Sequence, residues 1–196
     1  MAVHPSAIVE AGVSIGRGTV LWNGVHVRHS TTIGDDCSIG EKTYISHGVR
    51  IGHRVKVGAF VYICTGITIE RGATIGAGSI FTNERYYTRP ATSGTHQPAR
   101  VREGARIGAR ATIARGLTIG RFAMTAIGAV VTADVPDFVL VSGHPARPSG
   151  YICSCGQPLL PDVRRLVDER RDVVCESCAI RYDIAGMSVK QRVTVA

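Results

Sequence analysis

No apolar run in this chain is long enough to span a bilayer, although hydrophobic residues make up 44% of it. Membrane insertion is therefore not expected. A basic block is missing too. The formal net charge is +8, but the arginines are scattered and aromatics reach only 6%. Nucleic acid binding wants basic residues gathered with aromatics on one face, so it is not expected here. A solvated face plus a site for anionic phosphates accounts for the charge. The opening Met-Ala-Val-His-Pro-Ser has no signal-peptide character. It is already in phase with the repeat described next. The mature chain is thus expected to begin here, with the cytoplasm as its default location. A length of 196 residues allows one sizeable core and a small appendage.

What the chain does have is a period of six. Val3, Val9, Ile15, Leu21, Val27, Ile33, Ile39, Ile45, Ile51, Val57, Ile63, Ile69, Ile75 and Phe81 are all apolar. Four places after each, up to Ile75, stands a small or β-branched residue, as at Val25, Thr31, Cys37, Thr43 and Val49. Glycine often follows the apolar position, as at Gly16, Gly34, Gly40, Gly52, Gly58 and Gly76. Neither a helix nor an ordinary strand keeps every sixth residue on one face. A coil of three short sides does, each hexad giving one side and one corner. Three hexads close a triangular turn of 18 residues, and turns stack as parallel strands about 4.8 Å apart. One turn cannot bury its own apolar row, so the fold is a stack. A β-sandwich would lose phase at every loop.

The period is unbroken to Phe81. A polar segment, 83–100, then leaves the coil, and a long loop in a compact repeat is functional or disordered. The period resumes at Val101, Ile107, Ile113, Ile119 and Val131, with Thr125 the one polar entry, and ends near Pro136. The expected division is a repeat domain at 1–136, an extended linker at 137–150, and a Cys-rich module at 151–196. That module carries Cys153 and Cys155, then Cys175 and Cys178. Two close pairs without a secretory signal read as four thiolate ligands of a structural Zn²⁺. The segment is too short to fold on its own apolar core, so a metal would stabilise it. Cys37, at an inward position, is expected in the core; Cys64, beside a corner, is assigned nothing.

Residues 18 apart form columns on the outside of such a coil. His29, His47, Thr65 and Asn83 make one, ending where the loop departs. Arg28, Ser46, Cys64 and Thr82 make a second. Asp35, His53 and Arg71 make a third, read as a surface charge ladder. A neutral imidazole takes a proton near pH 7, which makes His47 a candidate base.

Several strings now carry a resemblance. They are Leu21-Trp22-Asn23, Val25-His26-Val27-Arg28, Phe81-Thr82-Asn83, the run Ile127 to Pro136, and Gly143-His144-Pro145-Ala146-Arg147. Together they resemble the hexapeptide-repeat acetyltransferases of nucleotide-linked amino sugars. The match is nearest to enzymes acetylating the 3-amino group of UDP-2-acetamido-3-amino-2,3-dideoxy-glucuronic acid, over residues 1 to about 150. The Tyr151-to-Tyr182 tail is similar to a Cys-rich extension of some members.

The resemblance implies an all-β, left-handed parallel β-helix and a homotrimer with sites in the grooves between copies. It implies acetyl-CoA as co-substrate, with its pantetheine arm near Ala126, Ile127 and Gly128 and its phosphates near Arg147. It implies Asn83 at the acceptor amine, with His47 as the rival. Trp22, His26 and Arg28 match a family string near the start and are candidates for the nucleotide sugar. Arg85 in the loop is a further candidate for phosphate. The loop Glu84-Arg85-Tyr86-Tyr87-Thr88 departs from the family strings, so a UDP-linked uronate and a dTDP-3-amino-3,6-dideoxyhexose both stay open.

Two other classes share features with this chain. A γ-type carbonic anhydrase uses the same coil with three histidines on Zn²⁺, for which His29, His47 and His53 are the candidates. A non-catalytic scaffold would use the Cys-rich tail as a protein-binding module.

Overall fold

The computed structural model describes residues 2–83, 97–160 and 169–192. Among them every regular element is a strand. The short strands fall in rotation on three parallel faces. The first face stacks Ala2–Val3, Val20–Leu21, Ser38–Ile39 and their successors to Met124–Thr125. The second runs from Ile8–Val9 to Val130–Val131, and the third from Ser14–Ile15 to Thr118–Ile119. Partners lie 18 residues apart, as Ala2 with Val20 and Tyr44 with Tyr62. Across the excursion Ile80 pairs with Thr112, and the phase survives. The chain is a three-sided parallel β-solenoid.

The row of every sixth residue is buried from Leu21 to Val131. Val3 and Val9 are in phase but stay 38% and 39% exposed, because no described coil lies beneath them. The polar members of the interior are fully bonded. The Thr19 hydroxyl donates to the Gly34 carbonyl at 2.7 Å and accepts the Cys37 N–H at 3.0 Å. Thr43 repeats this with Gly58 and Val61. Thr125 accepts the Gly108 N–H at 3.0 Å, so the one polar entry in the row ties two coils together. Cys37 is buried as expected and donates its S–H to the Gly52 carbonyl.

Glycine fills many of the corners, with positive φ at Gly24, Gly48 and Gly72, and has a second duty between the coils. A Cβ on Gly40 would lie 2.4 Å from the Gly58 carbonyl carbon, so coil-to-coil approach excludes a side chain there. The left-handed turn comes two residues later, where Lys42 has φ 54°. Asp36 and Phe60 fill the same kind of position at 55° and 58°. Short corners impose this conformation even on residues that disfavour it.

The segment 137–150, expected as an extended linker, is built into the prism. Val139–Gly143 pairs in parallel with Met124–Thr125, and Ala146–Tyr151 returns antiparallel beside it. Val139 and Val141 point inward and close the last coil. Beyond Tyr151, a three-stranded antiparallel sheet is formed by Arg171–Val174, Arg181–Ala185 and Ser188–Gln191. A chain of rings joins it to the prism. Phe122 stacks on Phe138 at 5.3 Å, and Phe138 meets Tyr182 edge-on at 5.5 Å. Arg106 adds a donor to the Ser154 carbonyl at 2.8 Å.

Candidate functional site

Two edges of the prism carry the expected site residues, one on each side of the second face. The edge after that face holds two columns. The inner one is Glu10, Arg28, Ser46, Cys64 and Thr82. Glu10 and Tyr44 drew no attention in the sequence. The 18-residue register could have found them, since it sets Glu10 under Arg28 and Tyr44 above His26. Glu10 accepts from His26 Nε2 at 3.1 Å and from the His29 backbone N–H at 3.0 Å, and it forms an ion pair with the Arg28 guanidinium. Arg28 in turn donates to the Tyr44 hydroxyl at 2.9 Å. The Tyr44 ring stacks on Tyr62 at 5.1 Å and meets His26 edge-on. The guanidinium of Arg28 is thus already matched by a carboxylate.

The His29 N–H first, then Arg28, hold the Glu10 carboxyl at about 2, against 4.5 for an ordinary glutamate. A depressed carboxylate contributes stability that is complete above about pH 4.5 and is lost as pH falls toward 2. Glu10→Gln is therefore expected to flatten the decline of the urea midpoint across that range. Parallel declines in the two proteins would contradict this role.

The outer column stands as expected. His29 and His47 stack with ring centroids 5.3 Å apart and planes 11° from parallel. Thr65 Oγ1 lies 3.0 Å from Ser46 Oγ, and half-buried Asn83 follows in the column. Cys64 donates its S–H to the Phe81 carbonyl at 2.9 Å, directly below. The third column is the charge ladder anticipated: His53 Nδ1 sits 3.3 Å from Asp35, and Arg71 pairs with Glu103.

The edge before the second face holds the rest. Trp22 is 53% exposed there and donates its indole N–H to Ser38 at 3.2 Å. Trp22, His26 and Arg28 therefore form a row across one coil rather than a cluster. Ala126, Ile127 and Gly128 make a corner higher on the same edge as Trp22, with Ile127 81% exposed. A cavity of about 560 Å³ opens beside it, lined by Arg106, Met124, Ala126, Ile127 and Leu140. Arg147 lies further along and donates to its own neighbour's carbonyl, Ala146, at 3.0 Å. One chain does not bring Asn83 or His47 together with Ala126 or Arg147; the second face separates them. Arg85 lies outside the described residues.

The four module cysteines do converge. Their Sγ atoms lie within 4.8 Å of one another, with Cys153 to Cys178 at 3.4 Å and Cys155 to Cys175 at 3.7 Å. These are not disulfide distances, whereas sulfurs about 2.3 Å from one tetrahedral ion stand roughly 3.8 Å apart. The Tyr182 hydroxyl, 3.1 Å from Cys153 Sγ, and the Cys155 N–H, at 3.5 Å, supply outer contacts of the kind that steady a thiolate ligand. Among the described residues this quartet is the one group of three or more such side chains close enough to share an ion. His29, His47 and His53 form no such group. His53 belongs to a different column from the stacked pair.

The repeat matches the bacterial transferase hexapeptide (six repeats) family over residues 12–47, 30–64 and 48–83. The dTDP-3-amino-3,6-dideoxy-alpha-D-galactopyranose 3-N-acetyltransferase of Aneurinibacillus thermoaerophilus is 47% identical over 189 residues, covering 96% of this chain and 94% of that protein. Among solved structures, a hexapeptide-repeat acetyltransferase of Vibrio cholerae complexed with acetyl coenzyme A has a TM-score of 0.54 at 24% identity, covering 69% of this chain and 71% of that one. A mutant of AntD, an N-acyltransferase from Bacillus cereus in complex with dTDP and coenzyme A, has a TM-score of 0.53 at 16% identity, covering 76% of this chain and 79% of that one. At those identities the two structures speak for the fold alone. The full-length match decides the rest: the chain belongs to the hexapeptide-repeat nucleotide-sugar N-acetyltransferases.

Proposed function

We propose that this enzyme moves the acetyl group of acetyl-CoA onto the 3-amino group of a dTDP-linked 3-amino-3,6-dideoxyhexose. The full-length relative that acetylates such a sugar is the observation that carries the choice. The Arg28 environment supports it. A uronate acceptor would want a free cation, and Arg28 is already paired with Glu10.

Three copies assembled about an axis would set the Ala126–Gly128 edge of one prism against the Asn83 edge of its neighbour. The pantetheine arm would run past Ala126, Ile127 and Gly128, with Arg147 at the phosphates. The acceptor amine, unprotonated, attacks the thioester carbonyl. A new N–C bond forms, an oxyanion develops, and the C–S bond breaks to release the CoA thiolate. Backbone N–H groups at the coil edge are the proposed donors to the oxyanion. Asn83 accepts a hydrogen bond from the amine and fixes its approach. The departing thiolate takes the proton. His47, the rival base, stands two coils below Asn83 in the column, roughly 10 Å away. That separation favours Asn83 at the amine. Trp22, His26 and, where it reaches, Arg85 are left for the nucleotide half.

The cytoplasm is the proposed location, as the source of acetyl-CoA. The module from 151 onward is proposed to hold one structural Zn²⁺ on Cys153, Cys155, Cys175 and Cys178. The experiment is a mass-spectrometric screen with acetyl-CoA and a panel of dTDP- and UDP-linked 3-amino and 4-amino sugars. The dTDP-3-amino-3,6-dideoxyhexose should be acetylated fastest. Preference for a UDP-uronate, or transfer to none of them, would overturn this reading.

A further inference from the structure

The Cys-rich module was expected only to fold around a metal, yet its Met187 lines a cavity beside Arg147. We propose that the module forms part of the acetyl-CoA site, with Met187 as the outer wall of the pocket for the adenine. This rests on the acetyl-CoA reading above.

Strand register ties the two ends of the cofactor path together. The Ala126 N–H donates to the Val141 carbonyl, which places Ser142 beside Ala126. Ser142 pairs in turn with Arg147. Ala126, Ser142 and Arg147 are thus consecutive along one edge, and Arg147 stands two strand spacings, roughly 10 Å, past Ala126. A pantetheine arm lying at Ala126 directs its diphosphate and nucleoside toward Arg147.

At Arg147 there is a cavity of about 460 Å³, within the ~300–1,000 Å³ usual for small-molecule sites. Its walls include Ala133, Pro136, Val141, Pro148 and Met187. Asp134 also borders it, but one of its oxygens is occupied by the Thr118 N–H at 2.8 Å. Apolar walls beside an arginine suit a flat purine next to a phosphate. A thioether adapts well to an aromatic face. Among the residues lining the cavity, Met187 alone comes from beyond Pro148.

Met187 is held there on purpose-built contacts. It follows Gly186, whose φ of 54° turns the hairpin between Arg181–Ala185 and Ser188–Gln191. The buried Tyr151 donates its hydroxyl to the Gly186 carbonyl at 2.7 Å, pinning the hairpin tip to the cap of the prism.

The test is calorimetric titration of the full chain with CoA, dephospho-CoA and pantetheine. Met187→Ala should weaken CoA and dephospho-CoA about five- to tenfold, the loss expected when a thioether leaves a purine face, with pantetheine unchanged. Met187→Leu should recover most of the affinity, and both variants should melt with the wild type. Arg147→Ala should weaken CoA and dephospho-CoA alike, since both carry the diphosphate, and leave pantetheine unchanged. Unchanged CoA affinity in Met187→Ala, or an equal loss for pantetheine, overturns the proposal while leaving the acetyl-CoA reading standing. Failure of the wild type to bind CoA removes both.

Discussion

Asn83→Ala is expected to lower kcat/KM for acetyl transfer by about two to three orders of magnitude, with bound acetyl-CoA unaffected. Losing one positioned polar partner of a reacting group commonly costs that much. The residue follows the strand Ile80–Phe81, on the column of His29, His47 and Thr65. An amide cannot take up a proton near neutrality, so its contribution is orientation. The change should therefore fall on kcat without altering the form of the pH–rate profile. His47→Asn separates the rival. A base at His47 would make that variant lose the acidic limb of the profile; an unchanged profile with near-normal turnover leaves Asn83 in place. Near-normal turnover in Asn83→Ala would remove it from the mechanism.

The second large effect concerns stability. Cys153→Ser combined with Cys178→Ser is expected to abolish bound zinc and to unfold the module beyond Tyr151. Structural zinc contributes an apparent ~10–16 kcal/mol in small peptides, as much as the whole stability of a typical domain. Among its described residues the module buries few large apolar side chains of its own, chiefly Ile152, Leu159, Tyr182, Ile184 and Val189. The prism has its own continuous interior and should survive. Elemental analysis should find one zinc per wild-type chain and none in the double variant. Calorimetry should show the variant losing part of its unfolding enthalpy while the main transition remains. A wild type free of metal, or a variant that melts like it, would contradict the staple.

The repeat was readable because a three-sided coil demands one apolar residue every six, and only that demand writes such a row. The same register placed His29 under His47 and predicted the Asp35–His53 ladder. It also contained the Glu10–Arg28–Tyr44 network, which needed the columns followed down to the first coil. Gly40 was legible as special, but its cause was not. A left-handed corner is met two residues later, at Lys42, whereas the stack needs room between backbones at Gly40. The hairpin Val139–Gly143 and Ala146–Tyr151 fell outside the six-residue rule, so it read as a linker. The role of Met187 was illegible for another reason: its neighbours at 131–148 are brought to it by folding, not by spacing. The separation of Asn83 from Ala126 could not be read from a list of motifs at all. It follows from which edge of the triangle each corner occupies.

That separation makes the sharing of one site between two copies the claim on which the rest depends. Asn83→Ala and Ala126→Trp chains, each expected to be inactive alone, should be co-expressed with different tags and purified as mixed assemblies. If neighbouring prisms complete each other's sites, the mixture regains a substantial fraction of wild-type turnover, because some grooves then pair two intact edges. If one chain supplied both edges, every groove would carry a defect, and the mixed assemblies would stay as inactive as their parents.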